Sequence, residues 1–385
     1  MEESRLGYWL KRAGAALVVS LLIGLLIGAF RGSSVIAGDL LTPGTRPPGP
    51  QFEVELVGAG RIKLPRTDTT ERVGIWGVTN EEGAYGQMAA VITRDAESVE
   101  RSFRTLSGRF IAGDLVRFDD YAVGYDPFEA FAIEYEEVRV PGQLGVNPAW
   151  LVPGERDTWV ILIHGEGLDE RAQALRILPV IEEAGYPVLI ITYRNDSAAP
   201  DDGSYYRWGL TEWRDVEAAI SFVRNRDPDD DSAKFVLFGY GMGGNIAMTH
   251  LHESDSTSDV LGVVLDSPVL DLGAVVDRLD DERNIPALIS SAAKAVARVR
   301  FGLEWSQLDQ THRVDQFDVP ILLIQGMEDE MLPIETTEAF ANALPNLVTH
   351  ETFEGAGRTE AWNVDAERYN EAVAEFLTRI TEEAP

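Results

Sequence analysis

The chain contains no cysteine, and this absence excludes several kinds of chemistry at once. Without thiols there is no disulfide, no thiolate-bound zinc, no CxxC redox pair and no cysteine nucleophile. Histidine is also scarce, with five residues in 385. Because imidazole is the other common ligand of transition metals, a histidine-rich metal site is not expected. The sequence predicts neither a metal nor another bound cofactor.

Basic residues are few relative to acidic ones. Lysine and arginine total 33, whereas aspartate and glutamate total 64, which gives a formal net charge of −31. A surface with this excess of negative charge repels the phosphate backbone of nucleic acids. We therefore expect no nucleic-acid partner, although net charge carries no information about the fold.

One long uncharged run lies near the N-terminus. Residues 13–30 (AGAALVVSLLIGLLIGAF) contain no charged side chain. As a helix they would extend about 27 Å, close to the ~30 Å of a bilayer's hydrocarbon core. The sequence predicts a single membrane-spanning helix within an anchor at residues 1–37. A cleaved signal peptide, with residues 35–37 at the cleavage site, is the alternative, but apolar regions of signal peptides are usually about 7–15 residues long.

The charges that flank this run predict an orientation. Arg5, Lys11 and Arg12 precede it, whereas only Arg31 and Arg46 follow it closely. The positive-inside rule therefore places the N-terminus in the cytoplasm and the large domain on the extracytoplasmic side.

The remainder of the chain divides into three parts by composition. Residues 38–51 are rich in proline and glycine and predict an extended linker. Residues 52–150 contain short β-like segments interrupted by glycines, which predict a β-rich extension. In residues 151–385, apolar runs alternate with amphipathic stretches, as in a mostly parallel sheet covered by helices on both faces. A longer helical stretch at 270–317 is a possible cap over this sheet.

Six apolar runs of the last part are strand candidates: 159–165, 187–193, 235–241, 260–266, 320–326 and 347–353. In an open parallel sheet, functional residues are expected in the loops that follow the carboxyl ends of the strands. In chain order, four of these loops contain His164-Gly165-Glu166-Gly167, Gly239-Tyr240-Gly241-Met242-Gly243, Glu328-Asp329 and Gly355-Ala356-Gly357-Arg358.

These loops resemble those of the α/β-hydrolase superfamily, and in particular bacterial, often membrane-anchored hydrolases related to serine aminopeptidases and acyl-peptidases. The resemblance covers roughly residues 70–382. It includes three further segments, Tyr193-Arg194-Asn195-Asp196, Thr211-Glu212-Trp213 and Leu265-Asp266-Ser267-Pro268. It implies an α/β-hydrolase fold, here preceded by the β-rich extension and the membrane helix.

The resemblance also implies a serine–acid–histidine triad, of which two members are replaced. Gly241 stands at the nucleophile position of the Gly-x-Ser-x-Gly turn, and Arg358 stands at the histidine position, while Asp329 keeps the acid. Glycine has no side-chain oxygen to form an acyl-enzyme. A guanidinium with a pKa above about 12 does not act as a general base near neutral pH. The sequence therefore predicts that hydrolytic activity has been lost and that the protein is a pseudoenzyme.

The groups that stabilise an oxyanion in this family are backbone amides, which do not depend on the lost side chains. The resemblance assigns them to Gly165, Glu166 and Met242. Two arrangements of the remaining site are compatible with the sequence. Arg358 could form an ion pair with Asp329 that fills the site. Alternatively, Arg358 and the helix N-terminus at Met242 could bind a small carboxylate or phosphate ligand.

Three other functions remain open from the sequence. The first is an active serine-type hydrolase, esterase or peptidase-like, with a rearranged triad, for which Ser267 and His350, His250 or His252 are the available residues. The second is NAD(P) binding, because Gly239, Gly241 and Gly244 form a G-x-G-x-x-G motif and Asp266 follows at the end of the next strand. The third is a structural role beside another envelope protein.

Overall fold

The computed structural model describes residues 2–44, 49–167, 170–201, 203, 205–226 and 232–382. Helix α1 spans Glu2–Ile36 and continues directly into a π-helical turn, Ala37–Leu41. Within these residues one helix is long and apolar enough to cross a membrane by length and composition, with a mean hydropathy of 2.5. It contains the uncharged run that the sequence analysis identified.

Residues 38–51 differ from the extended linker that their composition predicts. Residues 38–41 are part of the π-helical turn, and Leu41 is fully buried. Trp208 Nε1 donates a hydrogen bond to the Leu40 carbonyl (2.8 Å), and the Tyr206 amide donates to the Leu41 carbonyl (2.7 Å). These partners lie far away in the sequence, so composition could not predict them. Residues 45–48 of the predicted linker lie outside the described residues.

The β-rich extension forms a seven-stranded antiparallel sheet with its own core around Trp76 and Met88. In chain order its strands are β1 Phe52–Glu53, β2 Leu56–Gly58, β3 Arg61–Pro65, β4 Trp76–Asn80, β5 Tyr85–Arg94, β6 Ser98–Ser107 and β7 Leu115–Asp119. Their order across the sheet is β1-β7-β4-β5-β6-β3-β2. A short helix, α2 Pro127–Phe131, follows.

A mixed eight-stranded sheet forms the larger domain. Its strands are β8 Glu136–Pro141, β9 Val146–Val152, β10 Thr158–Ile163, β11 Val188–Ile191, β12 Lys234–Tyr240, β13 Val260–Asp266, β14 Ile321–Gly326 and β15 Val348–Phe353. Their order is β15-β14-β13-β12-β10-β11-β9-β8. Strand β9 is antiparallel to both neighbours, and β10 to β15 are parallel. The six apolar runs of the sequence correspond to these six parallel strands.

Strands β8 and β9 belong to this sheet, although the sequence analysis assigned them to the extension. Ala149 of β9 pairs with Val138 of β8 on one side and with Ile191 of β11 on the other. The predicted domain boundary between residues 150 and 151 therefore lies inside β9. Because β8 and β9 belong to the larger sheet, the boundary lies instead before β8. Strand β8 sits at the edge and alternates exposed and buried residues, so its pattern resembled that of the antiparallel extension.

Helices cover both faces of the larger sheet. They are α3 Leu178–Glu183, α4 Trp213–Arg224, α5 Met242–Glu253, α6 Leu272–Glu282, α7 Ala287–Phe301, α8 Ile334–Ala343, α9 Ala361–Val364 and α10 Ala366–Glu382, with 3₁₀ turns at Glu170–Arg176, Thr257–Asp259, Gln310–His312 and Val314–Gln316. Because helices bury both faces, β11 and β14 are buried along their whole length.

The predicted cap at 270–317 contains α6 and α7, and α7 packs closely against the second half of α1. A methyl group on Gly28 would lie 3.4 Å from Ile289 Cγ2, and one on Gly32 would lie 2.7 Å from Ala293 Cβ. Arg300 Nη1 adds hydrogen bonds to the hydroxyls of Ser33 (2.6 Å) and Ser34 (2.8 Å). The end of α1 is therefore joined to the cap of the larger domain.

Candidate functional site

The turn between β12 and α5 has the geometry of a nucleophile elbow. Gly241 has φ +50° and ψ −117°, a conformation that is strained for residues with a side chain. Its amide donates a hydrogen bond to the Asp266 carbonyl (2.8 Å), which fixes the turn to β13. A side chain at Gly239 or Gly243 would overlap neighbouring backbone atoms. The close approach of strand and helix at the elbow therefore accounts for these glycines.

The space beside Gly241 is filled by the side chains of Glu166 and Arg358. A methyl group on Gly241 would lie 2.7 Å from Glu166 Oε2 and 2.9 Å from Arg358 Nη2. Arg358 Nε donates to Glu166 Oε1 (3.0 Å), and Arg358 Nη2 donates to Glu166 Oε2 (3.2 Å). This two-bond geometry is the strongest form of a guanidinium–carboxylate pair.

The carboxylate of Glu166 also binds one of the amides that the resemblance assigned to oxyanion stabilisation. The Met242 amide donates to Glu166 Oε2 (3.1 Å). A second amide, that of Gly165, donates to Gln173 Oε1 (2.8 Å). Two of the three predicted donors, the amides of Met242 and Gly165, are thus already occupied by side chains of the protein.

The side chain of Glu166 is the functional group that the sequence analysis missed, because only its backbone was considered. The available signal was the presence of an acidic residue at 166 and a positively charged arginine at 358, on two loops that meet in this fold.

Asp329 lies in its expected loop after β14, but it is not the main partner of Arg358. Arg358 Nη1 is 4.0 Å from Asp329 Oδ2 and instead donates to the Ser267 carbonyl at 2.9 Å. Asp329 Oδ1 accepts a hydrogen bond from the Met331 amide (2.8 Å). The expected site-filling pair of Arg358 with Asp329 is therefore wrong as the main contact. Arg358 pairs with Glu166, and Asp329 Oδ2 lies at the longer distance of 4.0 Å from Arg358 Nη1.

The pKa values of the two carboxylates near Arg358 are shifted in opposite directions. Burial alone would raise the pKa of Glu166, but attraction to Arg358 and hydrogen bonds from Arg358 and from backbone amides together hold this pKa below its ordinary value. Burial dominates at Asp329 and raises its pKa, with Arg358 opposing the shift only in part. Glu166 is therefore the acid that remains ionised most readily beside the guanidinium.

His164 supports the loop that carries Glu166. Its Nδ1 lies 2.8 Å from the Gly165 carbonyl, and its ring stacks on Tyr193 with 4.4 Å between centroids. The Tyr193 hydroxyl donates to the same Gly165 carbonyl (2.6 Å). No group of three or more potential metal-ligating side chains occurs in the part of the chain that the structure describes.

Two of the residues available for a rearranged triad, Ser267 and His252, have other partners. Ser267 Oγ donates to Asp266 Oδ1 (3.0 Å) and accepts from the Thr359 amide (2.9 Å). His252 Nε2 lies 2.9 Å from Gln310 Oε1. Over the described residues, Ser267 has no histidine partner. The geometry therefore gives no support to an alternative serine nucleophile at this position.

The buried position of Asp266 disfavours the NAD(P) hypothesis. Asp266 is fully buried, Tyr369 donates to its Oδ2 (2.8 Å), and burial raises its pKa. The ribose-binding acid of a dinucleotide site must instead face the ligand. The N-terminal amide of α5 at Met242, where a phosphate would bind, is occupied by Glu166.

Two surface clefts flank the Glu166–Arg358 pair. One of ≈430 Å³ lies between residues 38–44 and Glu166, Tyr206, Trp208 and Met331. The other, of ≈450 Å³, is lined by Arg72, Glu328, Asp329, Glu330, Met331, Gly357, Arg358 and Glu360. Acidic side chains outnumber basic ones in the second cleft, so its charge does not favour an anion.

No family model matches the chain. It is 20% identical over 266 residues to YqkD of Bacillus subtilis, an uncharacterised protein, across 67% of this chain and 85% of YqkD. Its structure is similar to that of the Pyrococcus furiosus esterase Pf2001, with 21% identity, a TM-score of 0.52, and coverage of 67% of this chain and 95% of that chain. The chain therefore has the α/β-hydrolase fold, as the sequence analysis predicted.

This likeness concerns the fold alone. The closer relation to serine aminopeptidases and acyl-peptidases stays a prediction.

Proposed function

We propose that this chain is a non-hydrolytic protein with the α/β-hydrolase fold, whose former catalytic site is closed by the Glu166–Arg358 pair. The observation that carries the proposal is the position of the Glu166 carboxylate, 3.1 Å from the Met242 amide. In an active enzyme of this fold, the amide after the nucleophile binds the oxyanion of the substrate. Here a side chain of the protein takes that position.

Three features of the site act against hydrolysis together. Gly241 offers no nucleophile, Arg358 offers no general base, and Glu166 occupies an oxyanion donor. Removing one oxyanion donor alone typically slows an enzyme by about 10²–10³-fold. Without a nucleophile, a general base and a free oxyanion donor, the site cannot accelerate any step of acyl transfer.

An external anion would have to displace Glu166 from both Arg358 and Met242. Such a ligand would replace a carboxylate that is already held close by the chain itself, and it would leave the negative charge of Glu166 beside it. A small anionic ligand bound by Arg358 and Met242 is therefore not part of the proposed function.

The proposal includes anchoring by α1. This helix has the length and hydropathy of a membrane span, and its flanking charges favour a cytoplasmic N-terminus with the large domain on the extracytoplasmic side. Partners other than the membrane are not specified by the site.

A fluorophosphonate probe tests the loss of the nucleophile. The purified full chain, in detergent, should remain unlabelled under conditions that label an active serine esterase run in parallel. Labelling that maps to a serine of this chain would overturn the proposal and would favour the rearranged triad.

A further inference from the structure

The N-terminal end of α7 carries apolar side chains that the described part of the chain leaves uncovered. Leu288 is 69% exposed, and Pro286 and Ala287 beside it are also exposed. They belong to residues 284–293, which contain no charged side chain in a protein with 25% charged residues. Exposed apolar patches rimmed by polar residues mark sites of contact with another protein or a membrane.

The packing of α7 on α1 indicates where this end lies. The contacts advance in the same direction along both helices, from Gly28 with Ile289 to Gly32 with Ala293. The two helices are therefore parallel over this contact, and residues before Ile289 point towards the N-terminal half of α1. Gly28 precedes the end of the uncharged run at Phe30 by two residues, or about 3 Å along the helix. Leu288 thus lies level with the apolar part of α1.

The order of charges along α7 agrees with this placement. No aspartate or glutamate occurs in residues 284–303, although the chain has 64 of them and residues 280–283 directly before this stretch are all charged. Arg283 pairs with Asp39 (2.7 Å), which lies beyond the apolar part of α1. The basic residues of α7, Lys294, Arg298 and Arg300, all lie beyond the uncharged end and therefore farther from the apolar part of α1. An apolar end followed by basic residues is the arrangement of a segment that passes from hydrocarbon into lipid headgroups.

We propose that the first turn of α7, residues 286–289, inserts into the hydrocarbon layer of the bilayer beside α1. The inference rests on the proposal that α1 spans a membrane. It gives the large domain a second membrane contact beside α1, which limits the tilt of the domain relative to the bilayer.

Lipid-depth measurements on the full chain test this insertion, and the absence of native cysteine makes site-specific labelling simple. The three variants are Leu288→Cys, Val299→Cys and Val19→Cys, each carrying an NBD fluorophore in vesicles of phosphatidylcholine and phosphatidylglycerol. Val299 is the matched control, because it lies on the same helix and is 86% exposed. Val19 reports on the anchor. We expect doxyl-labelled lipids to quench the fluorophores at 288 and 19 several-fold more than the one at 299, and aqueous iodide to show the opposite order.

The outcomes separate the two proposals. If position 19 is quenched by lipid and position 288 behaves like 299, the insertion is wrong while the anchor stands. If position 19 is not quenched, the anchor is wrong and the insertion fails with it. Protection of 288 from iodide without lipid quenching would show that protein covers this end, and would also overturn the insertion.

Discussion

Glu166 and Arg358 reach the same point from loops that are 192 residues apart in the chain. Either side chain alone would destabilise the folded protein, because a partly buried charge loses hydration and would have no partner to compensate for it. Together they satisfy each other and the amide of Met242. The main partner of Arg358 is thus the acid on the facing loop rather than Asp329.

At this scale the sequence predicted the positions of Gly241, Asp329 and Arg358 but not the partner of Arg358. Motif spacing identifies which loop carries a residue. It does not show how far the side chain of Glu166 extends across the site, and this extension decides which acid the guanidinium meets.

Loss of the guanidinium should destabilise the fold. In Arg358→Ala the carboxylate of Glu166 stays near the amide of Met242 without its main partner. Breaking a fully buried pair costs about 3–5 kcal/mol, but the Glu166 side chain is 28% exposed, so we expect about 1–3 kcal/mol in urea unfolding at pH 7. Arg368→Ala, which breaks an exposed pair with Glu351, is the control and should cost less than about 1 kcal/mol.

The destabilisation caused by Arg358→Ala should decrease as the pH is lowered. The pKa of Glu166 is lowered in the folded protein, so its stabilising contribution is complete above its unfolded pKa and is lost as pH falls through the lower folded value. The difference in unfolding free energy between wild type and Arg358→Ala should therefore shrink on acidification below about pH 5. A difference that stays constant from pH 7 to pH 3 would contradict the pairing.

At the scale of elements, the six parallel strands of the larger sheet and α1 were predictable because their apolar runs are continuous. The π-helical turn after α1 and the membership of β8 and β9 in the larger sheet were not. Both depend on contacts between segments far apart in the chain, such as Trp208 with Leu40. Proline and glycine content gave no information about these contacts.

The junction of α1 and α7 should be sensitive to side-chain size at one glycine and not at another. In Gly32→Leu the new side chain would meet Ala293, whose Cβ already lies 2.7 Å from the position of a methyl group. Overpacking of this kind costs about 1–3 kcal/mol, so thermal unfolding of the detergent-solubilised full chain should begin at a lower temperature. Gly24→Leu is the matched control, because nothing lies within 4 Å of a methyl group there. Equal effects of the two substitutions would contradict the α1–α7 packing.

At the scale of the whole molecule, the β-rich extension contacts the loops of the site. The Ile75 amide donates to the Asn363 carbonyl (2.7 Å), and Asn363 Nδ2 donates to the Ile75 carbonyl (2.8 Å). Arg72 forms an ion pair with Glu360, two residues after Arg358. The extension therefore braces the loop that carries Arg358.

The predicted topology concerns the whole molecule as well. The intact protein should fractionate with membranes and resist extraction by high salt, because a membrane-spanning helix is held by the hydrophobic effect rather than by charge. Protease added to spheroplasts should digest the chain beyond about residue 38 if the large domain is extracytoplasmic. Complete protection of the large domain in intact spheroplasts would show the opposite orientation.

Rebuilding the triad tests the closed site most directly, through the turnover of p-nitrophenyl esters. The double variant Gly241→Ser/Arg358→His regains a nucleophile and a base beside Asp329, but Glu166 still occupies the Met242 amide. The triple variant that adds Glu166→Ala frees this amide. We expect no turnover above background for wild type, little or none for the double variant, and weak but measurable turnover for the triple variant, since triad members act as a unit. Hydrolysis by wild type, or equal rates for the double and triple variants, would contradict closure by Glu166.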